Sequence, residues 1–250
     1  MIVPIANKVG ILSSRINPID TFFCCKNSTN VADRVLMDIH NSGIIACLRA
    51  KSAELAVEAA RAALRGGISV LEITMSTPGV FEALQCLVQE YPSASIGVGT
   101  VLDRREAEEA VDLGAKFLMS PAMVKGILSD VTEGQALYIP GAATPTEVLS
   151  ASTDGAKIIK VYPVSALGGV EYFAKVKKSF PHIPLVASQG MGLDSVGAYI
   201  CEGASAVVLS DAIFDKKAMA ERNFIQIYHL ACSAATKGNQ AVRKTRCMDE

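Results

Sequence analysis

The sequence predicts an α/β fold, a closed (β/α)8 barrel of parallel strands in one domain. Three observations carry the prediction. Short apolar runs and amphipathic stretches alternate eight times between residues 43 and 236. The runs are nearly continuous in apolar residues, as strands buried on both faces are, and do not alternate apolar with polar. Several of the amphipathic stretches end in a glycine just before the next run, at Gly67, Gly114, Gly134, Gly155 and Gly203, a common helix stop. Regular β-then-α units imply a parallel sheet with right-handed crossovers. Eight of them in a chain of 250 residues fit a closed barrel better than an open, doubly wound sheet.

The elements follow in order. Residues 30–41 read as a helix that caps the bottom of the barrel. The strands are expected at 43–48 (GIIACL), 68–73 (ISVLEI), 95–99 (SIGVG), 116–119 (KFLM), 136–139 (ALYI), 157–162 (KIIKVY), 184–187 (PLVA) and 205–209 (SAVVL). The first helix between strands, 52–65, opens on Ser52 as an N-cap and stops at Gly66-Gly67. Helices are expected next at 78–91, 103–113, 121–130, 145–152, 168–179, 193–202 and 216–236. No linker rich in Pro, Gly or Ser interrupts 30–236, so this stretch is read as a single domain. Residues 237–250 carry Lys237, Arg243, Lys244 and Arg246 and read as a solvated basic tail.

Composition excludes several classes of function. Apolar residues make up 50% of the chain and charged residues 20%, enough for a large core and against disorder. With 24 Lys and Arg against 25 Asp and Glu, no broad basic surface for nucleic acid is expected. No apolar run reaches the roughly 18 residues that span a bilayer, so no membrane span is expected. The seven cysteines are odd in number, scattered and without a CxxC pair, which suggests free thiols in a reducing compartment. His40, His182 and His229 lie far apart with no ligand spacing, so no metal site is expected. Residues 1–29 carry Lys8, Arg15 and Lys26 against Asp20 alone, with Ser13, Ser14 and Ser28. Such a leader is either a plastid-type transit segment or an unstructured cytoplasmic extension.

In a (β/α)8 barrel, chemistry sits at the C-terminal ends of the strands. Polar residues that break the apolar runs there are the candidates. Lys160 lies inside KIIKVYP, between Ile159 and Val161. A lysine in the middle of a buried strand is costly as an ammonium, and as a neutral amine it can attack a carbonyl. The same position also fits a lysine paired with a buried carboxylate for structure. Glu72 lies in VLEIT, on the face it shares with Val70 and Thr74. Leu71 and Ile73 then face the helices and Glu72 faces the interior, where it is an acid/base partner or a salt-bridge partner for Lys160. Arg49 ends the first strand, where a guanidinium can clamp a carboxylate or stand solvated. Glycines in GVGT (97–100) and at Pro140-Gly141 let backbone approach a ligand.

Taken in order, LEIT, GVGTVLD, FLMSPAM, YIPGAATPTE and KVYPVSALGG resemble the 2-keto-3-deoxy-6-phosphogluconate (KDPG) / 4-hydroxy-2-oxoglutarate (KHG) aldolase family over about residues 43–214. The resemblance implies a class I lyase that works without a cofactor or metal, as a homotrimer, on a small 2-keto acid. It implies Lys160 as the Schiff-base nucleophile and Glu72 as the general acid/base. It implies Thr100, Pro121 and Tyr162 as the lining of the pyruvate pocket and Arg49 as the carboxylate clamp. Ser188, Gly190 and Ser210 fall where the family holds the far end of its substrate.

Departures bear on that far end. Many members carry an arginine two residues after the threonine of LE-x-T, and here Ser76 stands there, as in the subgroup acting on the galactonate analogue. Gln189 replaces the first glycine of a Gly-Gly pair, and Asp211 follows Ser210 where a phosphate dianion would sit. An unphosphorylated substrate such as 4-hydroxy-2-oxoglutarate is therefore expected as readily as a 6-phosphorylated one. Two other readings remain open. One is a phosphate-binding barrel isomerase or epimerase. The other is a non-catalytic barrel that binds a 2-keto acid or a protein partner.

Overall fold

Residues 30–131 and 134–249 are described by the computed structural model of the chain, and the expected leader at 1–29 lies outside them. The first helix, α1 (Val31–Ser42), starts at Asn30, whose side chain accepts the Asp33 N–H at 2.8 Å. This N-cap satisfies an amide that has no partner within the helix. The chain then alternates as expected. The strands are β1 (Ile44–Leu48), β2 (Val70–Thr74), β3 (Ser95–Gly99), β4 (Phe117–Met119), β5 (Leu137–Ile139), β6 (Gly141–Ala142), β7 (Ile159–Val161), β8 (Leu185–Ser188) and β9 (Ala206–Leu209). Between them lie α2 (Ala53–Arg65), α3 (Val80–Glu90), α4 (Arg104–Asp112), α5 (Lys125–Val131), α6 (Pro145–Thr153), α7 (Gly169–Ser179) and α8 (Val196–Cys201). Two helices follow β9, α9 (Lys216–Ala220) and α10 (Phe224–Asp249). Ser52 caps α2 as read from the sequence, accepting the Leu55 N–H.

All strand pairings are parallel, in the order β5-β4-β3-β2-β1-β9-β8-β7-β6. The two ends of that order are β5, at the expected fifth strand, and β6, a short strand that was not expected just after it, separated by Pro140 alone. Proline has no N–H to give a ladder, but its carbonyl accepts the Lys160 N–H at 2.8 Å. β5 pairs with β4 and β6 with β7, so the sheet closes on itself through one residue.

Period-two alternation divides the core in two. One cluster fills the barrel with Ile45, Val70, Phe117, Met119, Ile139, Ile158 and Val186, and α1 plugs its lower end with Ala32, Val35 and Ile39. The other lies between sheet and helices and includes Leu71, Ile73, Val98 and Leu118. This is the division that the pattern at 70–74 predicts.

Three expectations need correction. Residues 121–124 are not helical: α5 starts at Lys125, and the Val124 N–H is taken by the Tyr138 hydroxyl at 3.0 Å. The stretch 216–236 is not one helix. Asp215 caps the short α9, and Arg222 at φ 53 turns the chain before α10 begins. The basic tail at 237–250 is instead the last turns of α10, which run to Asp249. Gly238, Ala241 and Val242 form its inner stripe, all three buried. A Cβ at Gly238 would lie 2.4 Å from the Ser42 carbonyl oxygen, so glycine is what lets α10 close on the lower end of β1. Arg246 ties that end down through the Asn41 side chain at 2.7 Å. The charges visible in the sequence lie on the outer face of this helix and hide the apolar stripe.

Candidate active site

β2 and β7 put Glu72 and Lys160 into the upper interior of the barrel, 3% and 6% exposed among apolar neighbours. Each occupies the inward face of its strand because the residues on either side, Leu71 and Ile73 or Ile159 and Val161, belong to the outer core. The two side chains are close enough for the lysine charge to act on the carboxylate. Burial raises the Glu72 carboxyl above its ordinary value, while Lys160, a hydrogen bond from the Cys47 side chain and the charge of Arg49 each pull it back. β3 leaves space for the carboxylate with glycine. Gly97 stands opposite Glu72 in register, and a Cβ on Gly99 would come 1.4 Å from Glu72 Oε1.

The other expected residues stand at or just beyond the C-terminal ends of the strands. Tyr162 follows β7, with its ring centre 5.2 Å from Lys160 Nζ. Its peptide bond to Pro163 is cis. Thr100 follows β3 in the left-handed region at φ 62, a conformation that costs a β-branched residue on the order of 1 kcal/mol or more. Pro121 follows β4, and its carbonyl lies so near Gly141 that a Cβ there would meet it at 2.1 Å. Arg49 is exposed just beyond β1, and its Nε donates to Ser76 Oγ at 3.0 Å. That serine in turn lies 3.0 Å from Thr74 Oγ1. The guanidinium from the first strand thus reaches the place after β2 where the sequence has Ser76.

Ser188 and Ser210 end β8 and follow β9. Arg49, Ser76 and Ser210 line one side of a cleft of about 650 Å³, with Leu55, Phe214 and Met219 as its apolar wall. Gly190 stands apart from this group. It sits at φ 82 against Ser165, whose hydroxyl donates to Gln189 Oε1 at 2.8 Å. Gln189 is itself at φ 85, a left-handed conformation that glycine would take without cost. Asp211 is exposed and paired with Lys216 at 3.2 Å, so its charge is partly answered by a cation that sequence reasoning did not pick out. Sequence reasoning also missed Cys47. The available signal was its two-residue spacing from Ile45, which puts it on the inward face of β1.

An interior amine beside an interior carboxylate can form an imine with a bound ketone and move a proton next to it. The comparisons with known proteins point the same way. The family model described as "KDPG and KHG aldolase" matches residues 35–230. The KHG/KDPG aldolase of Escherichia coli (strain K12) is 31% identical over 176 residues, covering 68% of this chain and 83% of its own. The 2-dehydro-3-deoxy-phosphogluconate aldolase of Dickeya dadantii (strain 3937) is 33% identical over 166 residues, covering 64% and 78%. Among solved structures, a KDPG aldolase from Legionella pneumophila, with pyruvate captured as a covalent carbinolamine intermediate, superposes with a TM-score of 0.74 at 27% identity. It spans 80% of this chain and 97% of its own.

Proposed function

The chain belongs to the KDPG and KHG aldolase family, and we propose that it is a class I aldolase that cleaves a 2-keto-3-deoxy acid into pyruvate and an aldehyde. The observation that carries this reading is the burial of Lys160 and Glu72 together inside the barrel, near enough for the lysine charge to act on the carboxylate.

The chemistry follows from the positions. Lys160 Nζ adds to the C2 ketone, and the carbinolamine loses water to give an iminium ion. Glu72 takes the proton of the C4 hydroxyl, directly or through a water. The C3–C4 bond breaks, its electron pair moves into the iminium as an enamine, and the aldehyde leaves. Protonation at C3 and hydrolysis then release pyruvate and regenerate the amine. Burial raises the carboxyl above its ordinary value, which makes it a better proton acceptor than an exposed glutamate. Thr100, Pro121 and Tyr162 would shape the pyruvate pocket, and Arg49, steadied by Ser76, would hold the substrate carboxylate.

At the far end, Ser188, Gly190 and Ser210 remain available to hydroxyls. Gln189 in place of a glycine, with its side chain taken by Ser165, and the Asp211 carboxylate, though partly answered by Lys216, support an unphosphorylated acceptor such as glyoxylate over glyceraldehyde 3-phosphate. The working unit is proposed to be a homotrimer; sedimentation equilibrium reading one or two chains would overturn that. The free thiols Cys47, Cys86, Cys201, Cys232 and Cys247 suit a reducing compartment, the cytoplasm or a plastid. No helix among the described residues is long and apolar enough to cross a membrane.

The test is release of pyruvate, read with a coupled dehydrogenase, from 4-hydroxy-2-oxoglutarate and from KDPG. The expected result is cleavage that Lys160→Ala abolishes, with the larger kcat/KM on the unphosphorylated acid. Activity that survives in Lys160→Ala would refute the mechanism. A clear preference for KDPG would refute the reading of Gln189 and Asp211.

A further inference from the structure

We propose that Cys47 is a positioning residue for the aldol step, its thiol holding the Glu72 carboxylate in the orientation from which it moves the proton. The inference rests on the class I reading above and goes beyond it. Cys47 and Glu72 stand directly opposite each other on β1 and β2, on the inward face of the barrel. Cys47 is the thiol among apolar neighbours there, packed against the cluster that holds Ile45, Val70 and Phe117.

The surroundings of Glu72 show why a donor at this position matters. β3 offers only Gly97 and Gly99, which leave room but supply no side chain. β7 offers Lys160, which the reaction consumes as an amine. Arg49 acts on Glu72 through its charge from the end of β1. β1 offers Cys47, which stands in register with Glu72 and is placed to donate from its thiol. Burial and the nearby carboxylate hold the thiol well above its ordinary titration range, so it stays protonated and able to donate.

A thiol suits the task chemically. It is a weak donor and its sulfur a weak acceptor. The contact therefore persists whether Glu72 is a carboxylate receiving S–H or a carboxylic acid presenting O–H to sulfur. A hydrocarbon would leave the carboxylate without a partner on the β1 side.

The experiment compares Cys47→Val, which keeps the volume and removes the donor, with Cys47→Ser, which restores a donor. Each is read by thermal stability, by trapping pyruvate on Lys160 with borohydride, and by kcat as a function of pH. Cys47→Val is expected to fold and to trap pyruvate, with kcat lowered ~3–10-fold, the lower end of what positioned proton transfer contributes. The acid limb of its profile should move to higher pH, because a carboxylate that loses its donor takes a proton more easily. Cys47→Ser should recover most of both. A Cys47→Val protein that folds, traps pyruvate and keeps the wild-type kcat and acid limb would overturn the inference. Should that variant not fold, Cys47→Ala against Cys47→Ser gives the same contrast. A wild-type protein that neither traps nor releases pyruvate would instead bring down the class I reading itself.

Discussion

Glu72 shows at the scale of one residue what a reactive interior costs. Its carboxyl is raised by burial above the ordinary value near 4.5. The folded state therefore binds a proton that the unfolded state releases, and stability falls as pH rises through the window between the two values. Glu72→Gln keeps the shape and removes the charge. The variant should have a higher Tm than the wild type at neutral pH, a gain that shrinks below about pH 4.5, while kcat drops ~10²–10⁴-fold. Thermal scans across pH check this, and a lower Tm at pH 7 would mean that the carboxylate is held by more than Lys160, Cys47 and Arg49. Lys160 and Glu72 were legible in the sequence because a charged residue between apolar ones on a buried strand has few structural excuses. The hydrogen bond from Arg49 to Ser76 and the thiol beside Glu72 were not legible. Both depend on which residues face each other across neighbouring strands, and one strand read alone does not give the register.

At the scale of elements, eight β-then-α units were readable because each strand is a short, nearly unbroken apolar run and each helix a periodic one. The short β6 was not, because Pro140 looks like a strand end and serves as a hinge between two pairings. The C-terminal helix was misread for a different reason. Lys237, Arg243, Lys244 and Arg246 suggest solvent, yet a buried stripe of small residues runs beneath them. That correction makes a prediction of sign. A better helix former at a helical glycine with open space beside it stabilises by up to ~1 kcal/mol, as expected for Gly197→Ala in α8, where a Cβ meets nothing within 4 Å. Gly238→Met should instead destabilise by ~1–3 kcal/mol, because its side chain must displace the Ser42 carbonyl and Ile44. Urea denaturation of both variants separates the outcomes, and stabilisation by Gly238→Met would mean that the end of α10 does not pack on β1.

At the scale of the whole molecule, the barrel separates stability from chemistry along its axis. α1 and the end of α10 close the lower end with apolar and small residues. The upper end gathers the lysine, the glutamate, Arg49, the non-glycine residues Thr100, Gln189 and Arg222 in the left-handed region, and an open cleft. Backbone strain at Thr100 and Gln189 falls at that end, where it is tolerated because the closed sheet below holds both strands in place. The account as a whole depends on one covalent event, attack of the Lys160 amine on a 2-keto acid. Incubation of the protein with pyruvate and borohydride, followed by intact mass and peptide mapping, tests it most directly. The predicted result is one reduced pyruvate adduct per chain, located on Lys160 and missing from Lys160→Ala. Folded wild-type protein that gives no adduct, or an adduct on another lysine, would contradict the account.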